Sequence, residues 1–336
     1  MRSWIGPGSR GRSLPLAVVA LSVALVLNAC GATMGGSGGG REYPSGAITL
    51  VIPFDTGGNS DSGGRRLAAA LEEHWGTTVT VLNQPGGNTV PAVQNVMSSR
   101  PDGRTILLDT QPSSSMLNAA VPSLPFDATD RTFIATATAS PMLFIVQADS
   151  PLQTLQDAAA FMRSNPTGFT WTSYGGAGSQ DYAFRQLFRT IGVDVDQTRA
   201  VVSEGGDNPV TQIAGGHVDV GVSSFSSARP ALEAGLVRVL AVAAPERFFA
   251  LPDVPTTVEA GFPEVEVLTW LGFSGPPGLP ADVVEAWNAA LPVVLEKPAV
   301  VEGLQTFGIT PFYKNAQEMK DFVMGEQADV NDIFGR

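Results

Sequence analysis

One pattern occurs twice in this chain and constrains its fold more than any other feature: an apolar β-rich run, a glycine turn, and an amphipathic helical segment. In the first copy "ITLVIPF" (48–54) passes through "DTGG" into "NSDSGGRRLAAALEEHW", where Leu67, Leu71 and Trp75 recur at four-residue spacing and Gly76 ends the pattern. In the second, about 120 residues on, "FTWTS" (169–173) leads through "YGGAGSQ" into a segment with Phe184, Leu187, Phe188 and Ile191 on one face. Such a connection can aim main-chain N–H groups at one point, and the partial positive charge of the helix N-terminus favours an anion there by about 0.3–1 kcal/mol. The same residues can also close a tight strand-to-helix connection and do nothing else. For one glycine pair that second reading is the ordinary one; two turns in matching positions put the readings level.

The alternation continues along the chain. "TVTVL" (78–82), "RTILLDT" (104–110), "RAVV" (199–202), "HVDVGVSS" (217–224) and "VRVLAVAA" (237–244) are strand-like. Between them "VPAVQNVMSS", a short segment opened by Pro209 and a segment containing Leu232 are helical. Short, nearly continuous apolar strands separated by helices predict parallel sheet. A length of 336 residues allows two domains. The expectation is two α/β lobes with a site between them, at the carboxyl ends of the strands.

The net charge of −12, with no basic run beyond Arg65–Arg66, argues against a nucleic-acid binder, which needs clustered Lys and Arg. At the N-terminus Arg2, Arg10 and Arg12 precede "LPLAVVALSVALVL" (14–27) and then "NAC". A basic segment, an apolar core and small residues before a cut describe an export leader. That core is shorter than the roughly 20 residues of a spanning helix. Cys30, the sole cysteine, completes "LNAC", which resembles a bacterial lipobox. The expectation is a leader over 1–29, lipidation at Cys30, and a Gly-rich tether over 30–46. An ordinary leader with a chance cysteine, or an uncleaved anchor, are the alternatives.

Catalysis finds little support. His74 and His217 lack partners at metal-ligand spacing. Ser179 lacks the G-x-S-x-G elbow, and neither a Walker A nor a dinucleotide glycine motif occurs. No metal, cofactor or catalytic residue is expected. In the glycine turns, Gly57 and Gly58 are expected to present N–H groups, with Ser60 or Asp61 capping the helix. Hydrogen bonds to a charged group contribute about 1.5–3 kcal/mol each. Two facing turns could therefore reach about −8 kcal/mol, a micromolar affinity, without an arginine. Gly58 and Gly178 are expected to occupy positive φ, so that a β-branched replacement weakens binding.

"ITLVIPFDTGGNSDSGGRRLAAALEEHWGTTVTVLNQPGGN…RPDGRTILLDT" resembles the opening of the tripartite tricarboxylate transporter substrate-binding proteins, the Bug family. "GGAGSQDYAFRQLF", "IAGGHVDVGVSSFSSARPALEAGLVRVLAVAAPERFFALPDVPTTVEAGFP" and "WLGFSGPPGLPADVVEAWNAAL" are similar to later segments of that family, in the same order. The resemblance implies a two-lobed periplasmic-binding-protein fold, each lobe a mostly parallel sheet flanked by helices. It implies an exported receptor, anchored by lipid to the outer face of the cell membrane. The receptor would capture a small carboxylate and deliver it to one large and one small membrane subunit, acting as a monomer. By position, residues 47–143 with 268–336 would form the first lobe and 144–267 the second, with crossovers near Met142–Val146 and Leu268–Trp270. Thr56, Gly57, Gly58, Asn59, Ser60 and Asp61 would form one ligand loop. Gly175, Gly176, Ala177, Gly178, Ser179, Gln180 and Asp181 would form the other.

Departures bear on the ligand. Asp55 and Thr56 replace residues such as Ala-Pro, Tyr182 stands where a histidine is frequent, and "SEGG", with Glu204, replaces Y-K-G. If Asp55 and Glu204 face the cleft, they disfavour a trianion such as citrate. Phe225 is expected against the ligand's carbon skeleton or in the core. Trp270 should line the cleft or pack the hinge, and "TQPSSS" (110–115) should aim hydroxyls into the cleft or lie solvated. Two other functions fit the sequence less well: a sensor of the same fold with a signalling partner, and a secreted hydrolase acting through Ser179.

Overall fold

The computed structural model describes residues 43–175, 178–203 and 209–335. The leader, Cys30, most of the tether, Gly176, Ala177 and Glu204 lie outside the described residues. The chain begins with β1 (Ile48–Ile52), buried along nearly its whole length, and α1 (Asn59–Trp75), which Gly76 closes in a left-handed conformation. Leu67 and Leu71 of α1 are fully buried, and Trp75 packs edge-on against Trp287. There follow β2 (Val79–Asn83), α2 (Val90–Met97, with Pro91 in its first turn), β3 (Thr105–Thr110) and the single turn α3 (Leu117–Ala120).

Next comes β4 (Thr132–Gln147), which organises the molecule. Its first part, to Pro141, pairs with β9 (Leu268–Gly275) and β10 (Thr310–Lys314). From Met142 onward it pairs instead with β7 (Gly221–Ser224) and β8 (Val237–Val242). Proline suits the switch because it has no N–H to give to a ladder. One sheet therefore runs β10-β4-β9-β3-β1-β2, and β7 and β8 join it on the far part of β4. In that sheet β2, β1, β3 and β4 run one way and β9 and β10 the other, so it is mostly parallel in direction but mixed in its pairings.

The second lobe also holds α4 (Leu155–Ser164), β5 (Thr170–Ser173), α5 (Ser179–Ile191), β6 (Arg199–Val202), α6 (Pro209–Ala214) and α7 (Phe225–Glu233). β5 and β6 pair in parallel, and Trp171 bridges to Val220 beside β7. Phe144, Phe169, Trp171, Phe184 and Phe188 fill its core with edge-on and tilted ring contacts. The first lobe is completed by α8 (Ala281–Leu295), α9 (Pro298–Gln305) and α10 (Ala316–Phe334). The start of α10 packs Met319 and Val323 around Trp270. Its end carries Val330, Ile333 and Phe334 onto the second lobe's core, where Arg189 pairs with Asp332 at 2.5 Å. Among the described residues no helix is long and apolar enough to cross a membrane.

Candidate functional site

A cavity of about 540 Å³ lies between the lobes, and both glycine turns open onto it. Asn59 and Ser60 line it from the first turn, and Gly175, Gly178, Ser179 and Gln180 from the second. These residues include the first two of α1 and of α5. The N–H groups of a helix's first turn have no intrahelical partner, so each turn offers donors where the dipole is positive. None of the lining residues among those described carries a charged side chain.

Each turn is held from behind by the third residue of its helix. Asp61 accepts the Gly57 N–H at 2.9 Å, the Asn83 amide at 2.8 Å and the Arg65 guanidinium at 3.0 Å. Burial acts to raise its carboxyl, but the bonds from Arg65, Gly57 and Asn83 together outweigh it and hold the group below the usual carboxylate range. Asp181 accepts the Ser173 hydroxyl at 2.5 Å, the Tyr174 N–H at 3.1 Å and the Gly178 N–H at 3.3 Å. Neither aspartate lines the cavity. The cap of α1 is the Gly58 backbone, with no side-chain cap, where Ser60 or Asp61 was expected.

The expectation of positive φ at Gly58 and Gly178 fails. Their φ values are −72° and −95°, extended backbone open to any residue. Among the described residues of the two turns, positive φ falls at Gly57 (φ 92°) and Gly175 (φ 86°), where an L-residue is strained. Thr56, Gly57 and Gly58 are exposed and lie outside the lining, as does Asp55, which is also exposed. Phe225 packs edge-on against Phe248, close to Gly308, and does not line the cavity.

Several lining residues escaped the sequence reading. Gly86, Asn88 and Thr89 form part of a third turn in which four successive residues, Gly86 to Thr89, have positive φ. A β-branched residue there is costly and persists only where its surroundings hold it; Thr89 is buried and its hydroxyl donates to the Pro112 carbonyl at 3.3 Å. The signal was the strand-then-"PGG" pattern of 79–87, the same kind of connection as the other two. On β4, the hydroxyls of Thr138 and Ser140 are buried in the wall without a protein partner, and so is Oε1 of Gln180. Buried polar groups are rarely left unpaired, so these are groups to which a ligand or water can bond.

"TQPSSS" proves to be a buried wall. Thr110, Gln111 and Pro112 line the cavity. Behind them the fully buried Asp109 binds Arg131 at 3.2 Å and Ser113 at 2.8 Å, while Arg131 also donates to the Ser113 carbonyl at 2.9 Å. Trp270 both lines the cavity and packs the crossover. Besides Arg189–Asp332, side-chain bonds between the lobes include Ser179 to Gln111 at 2.8 Å, Ser226 to Asn59 at 3.3 Å, and Arg229 to the Thr306 carbonyl at 3.0 Å.

Comparison with known proteins agrees with this geometry. A UPF0065 protein in the tcbD-tcbE intergenic region of a Pseudomonas species is 33% identical over 272 residues, covering 80% of this chain and 79% of that protein. The protein BugT of Bordetella pertussis is 25% identical over 290 residues, covering 84% and 87%. Among solved structures, MatC from Rhodopseudomonas palustris with bound malate is 26% identical with a TM-score of 0.73, covering 87% of this chain and all of that one. An R. palustris protein with adipate is 26% identical with a TM-score of 0.77, covering 87% and 98%. These neighbours share the two-lobed periplasmic-binding fold. The model of the tripartite tricarboxylate transporter family receptor matches residues 64–334, and with two lobes closing on a doubly glycine-turned cavity, the chain belongs to that family.

Proposed function

We propose that this protein is an exported receptor that closes its two lobes over a small carboxylate and delivers it to a tripartite tricarboxylate-type membrane transporter. The observation that carries this reading is the pair of helix N-termini, at Asn59–Ser60 and Ser179–Gln180, meeting in one cavity that is lined, among the described residues, without charged side chains. Main-chain N–H groups supply the attraction, so an anion needs no arginine clamp. The carboxylates seen in two structural neighbours, malate and adipate, support that ligand class. The ligand contacts are assigned to Asn59, Ser60, Gly175, Gly178, Ser179 and Gln180; Gly176 and Ala177, expected in the second loop, lie outside the described residues. Asp61 and Asp181 hold the turns, and Gly57 supplies the bend.

The lobes divide as 47–143 with 268–336, and 144–267. The end of α10 reaches across to brace the second. Cys30 is the proposed lipid anchor and the receptor is proposed to act as a monomer. Ser179 donates its hydroxyl to Gln111, and no histidine lines the cavity among the described residues, so nothing there favours hydrolysis. Calorimetry and thermal-shift measurements with mono-, di- and tricarboxylates test the reading: at least one should bind with micromolar or better affinity and raise the melting temperature. Silence across the panel would overturn it. Mass spectrometry of the membrane-extracted protein should find a diacylglyceryl group at Cys30 and lose it in Cys30→Ser.

A further inference from the structure

Behind the cavity wall, Glu326 of α10 gathers three groups of the first lobe, one of which reaches across to the second. As a residue it is partly exposed, but its carboxylate is enclosed. It accepts the Gln111 amide N–H at 2.5 Å, the Trp270 indole N–H at 3.0 Å and the Ser115 hydroxyl. Gln111 and Trp270 both line the cavity. With its nitrogen committed to Glu326, the Gln111 amide must turn its oxygen to the cleft, where it takes the hydroxyl of Ser179 at the start of α5. The chain Ser179–Gln111–Glu326 thus runs from the second lobe's anion turn, across the cleft, to the C-terminal helix.

We propose that Glu326 is a positioning residue of the ligand cleft: it fixes Gln111 and Trp270 against the ligand and links closure of the lobes to proton uptake at its own carboxylate. The inference rests on the receptor reading above. Both protonation states can be housed. The ionised form takes the three donors described. A protonated carboxyl can instead donate to Ser115 Oγ, whose hydroxyl then has the Gln111 carbonyl at 3.5 Å.

Burial pushes the Glu326 carboxyl above the ordinary range, against the pull of Ser115, Trp270 and Gln111, and Asp329 on the same helix adds to the push. From α5, Tyr182 faces this group, its phenol pushed up to about 12 by burial and by Asp329 and Glu326. The other charges on α5 are engaged elsewhere: Asp181 in its turn, Arg185 over the Phe334 ring, Arg189 with Asp332. On β10, Lys314 lies over Phe312 and Phe322. β4 and α3 carry no titratable side chain. Among the described residues no cation pairs with this carboxylate, so solvent access decides its state.

Opening the lobes parts Ser179 from Gln111 and admits water, returning the carboxyl toward its ordinary range. A group that holds its proton more tightly in the closed cleft favours closure fully below its open-state value, and that advantage is lost as pH rises through the closed-state value. Ligand affinity therefore falls with rising pH across this window, by up to about tenfold per pH unit.

The test uses adipate above pH 6, where its own carboxylates stay ionised, and calorimetry in buffers of different ionisation enthalpy. The wild type should take up a fraction of a proton, at most one, for each adipate bound. Glu326→Gln should take up close to none, with affinity nearly independent of pH. Small-angle scattering of the ligand-free protein from pH 5 to 8 gives a readout independent of adipate: the wild type should be more compact at the acid end and Glu326→Gln unchanging. Should adipate fail to bind, the receptor reading is what suffers, and scattering still decides this one. Wild-type scattering flat with pH, or equal proton uptake in wild type and variant, overturns the proposal; should the variant not fold, flat wild-type scattering alone does so.

Discussion

In the turn after β1, the third residue of the helix, Asp61, reaches back to the Gly57 N–H; in the turn after β5, the third residue, Asp181, reaches back to Gly178 and Tyr174. The sequences obey one rule, Gly58-Asn-Ser-Asp61 and Gly178-Ser-Gln-Asp181. The difference lies in compensation. Asp61 is paired with Arg65 at 3.0 Å, whereas the donors to Asp181 among the described residues are all neutral. A bare carboxylate behind a helix N-terminus works against an anion in front of it, and a paired one much less. On the proposed receptor reading, the first turn would be the stronger carboxylate grip, and the second would suit the end of a ligand that brings hydroxyl or amide groups.

The largest effect should come from the bend itself. Gly57→Val and Gly175→Val place a β-branched residue at positive φ, costing about 2 kcal/mol, or roughly 30-fold in affinity by calorimetry. Gly58→Ala should change affinity less than about twofold, since its backbone is ordinary and its Cβ would meet only Asp55 O at 3.8 Å. Next, Asp61→Ala and Asp181→Ala each orphan donors behind a turn and should lower unfolding free energy by about 1–3 kcal/mol in urea.

Arg65→Gln tests the comparison directly. It leaves Asp61 charged and unpaired, so carboxylate affinity should fall about threefold, a loss of well under 1 kcal/mol, as expected for a partly exposed pair. The parallel loss of a charge at Arg189 should leave affinity unchanged. Equal affinities in wild type and Arg65→Gln would erase the distinction between the turns. The smallest effect is on pH dependence. Asp61's carboxyl is depressed in the folded protein, so its contribution is present above the ordinary carboxylate range and lost as pH falls through the depressed value. The destabilisation of Asp61→Asn, measured in urea, should be present at pH 7 and shrink toward pH 3.

Much of the fold could be read from local pattern. The strand at 48–54, the face of Leu67 and Leu71, the short helix opened by Pro209 and the aromatic face of α5 all appear where periodicity and turn residues put them, because each is fixed within a dozen residues. β4 was not legible. "TFIATATASPMLFIVQ" is buried on both faces, so small and apolar residues follow one another without a period of two, and a proline interrupts it. The site was half legible for the same reason. Its turns announce themselves by glycine. Gln111 and Glu326 meet only through the tertiary fold, across 215 residues, and Thr138 joins Gln111 in the cavity wall by the same route.

The placement of Pro141 opposite Leu268 and Met142 opposite Ser224 has a mechanical consequence. The segment from Met142 to Val267 leaves and re-enters through adjacent antiparallel strands, so a force on the chain ends loads the β4–β9 ladder and α10 before it reaches that segment. In a single-molecule pulling experiment the outer sheet should yield first, and the inserted lobe should extend only after the ladder has sheared.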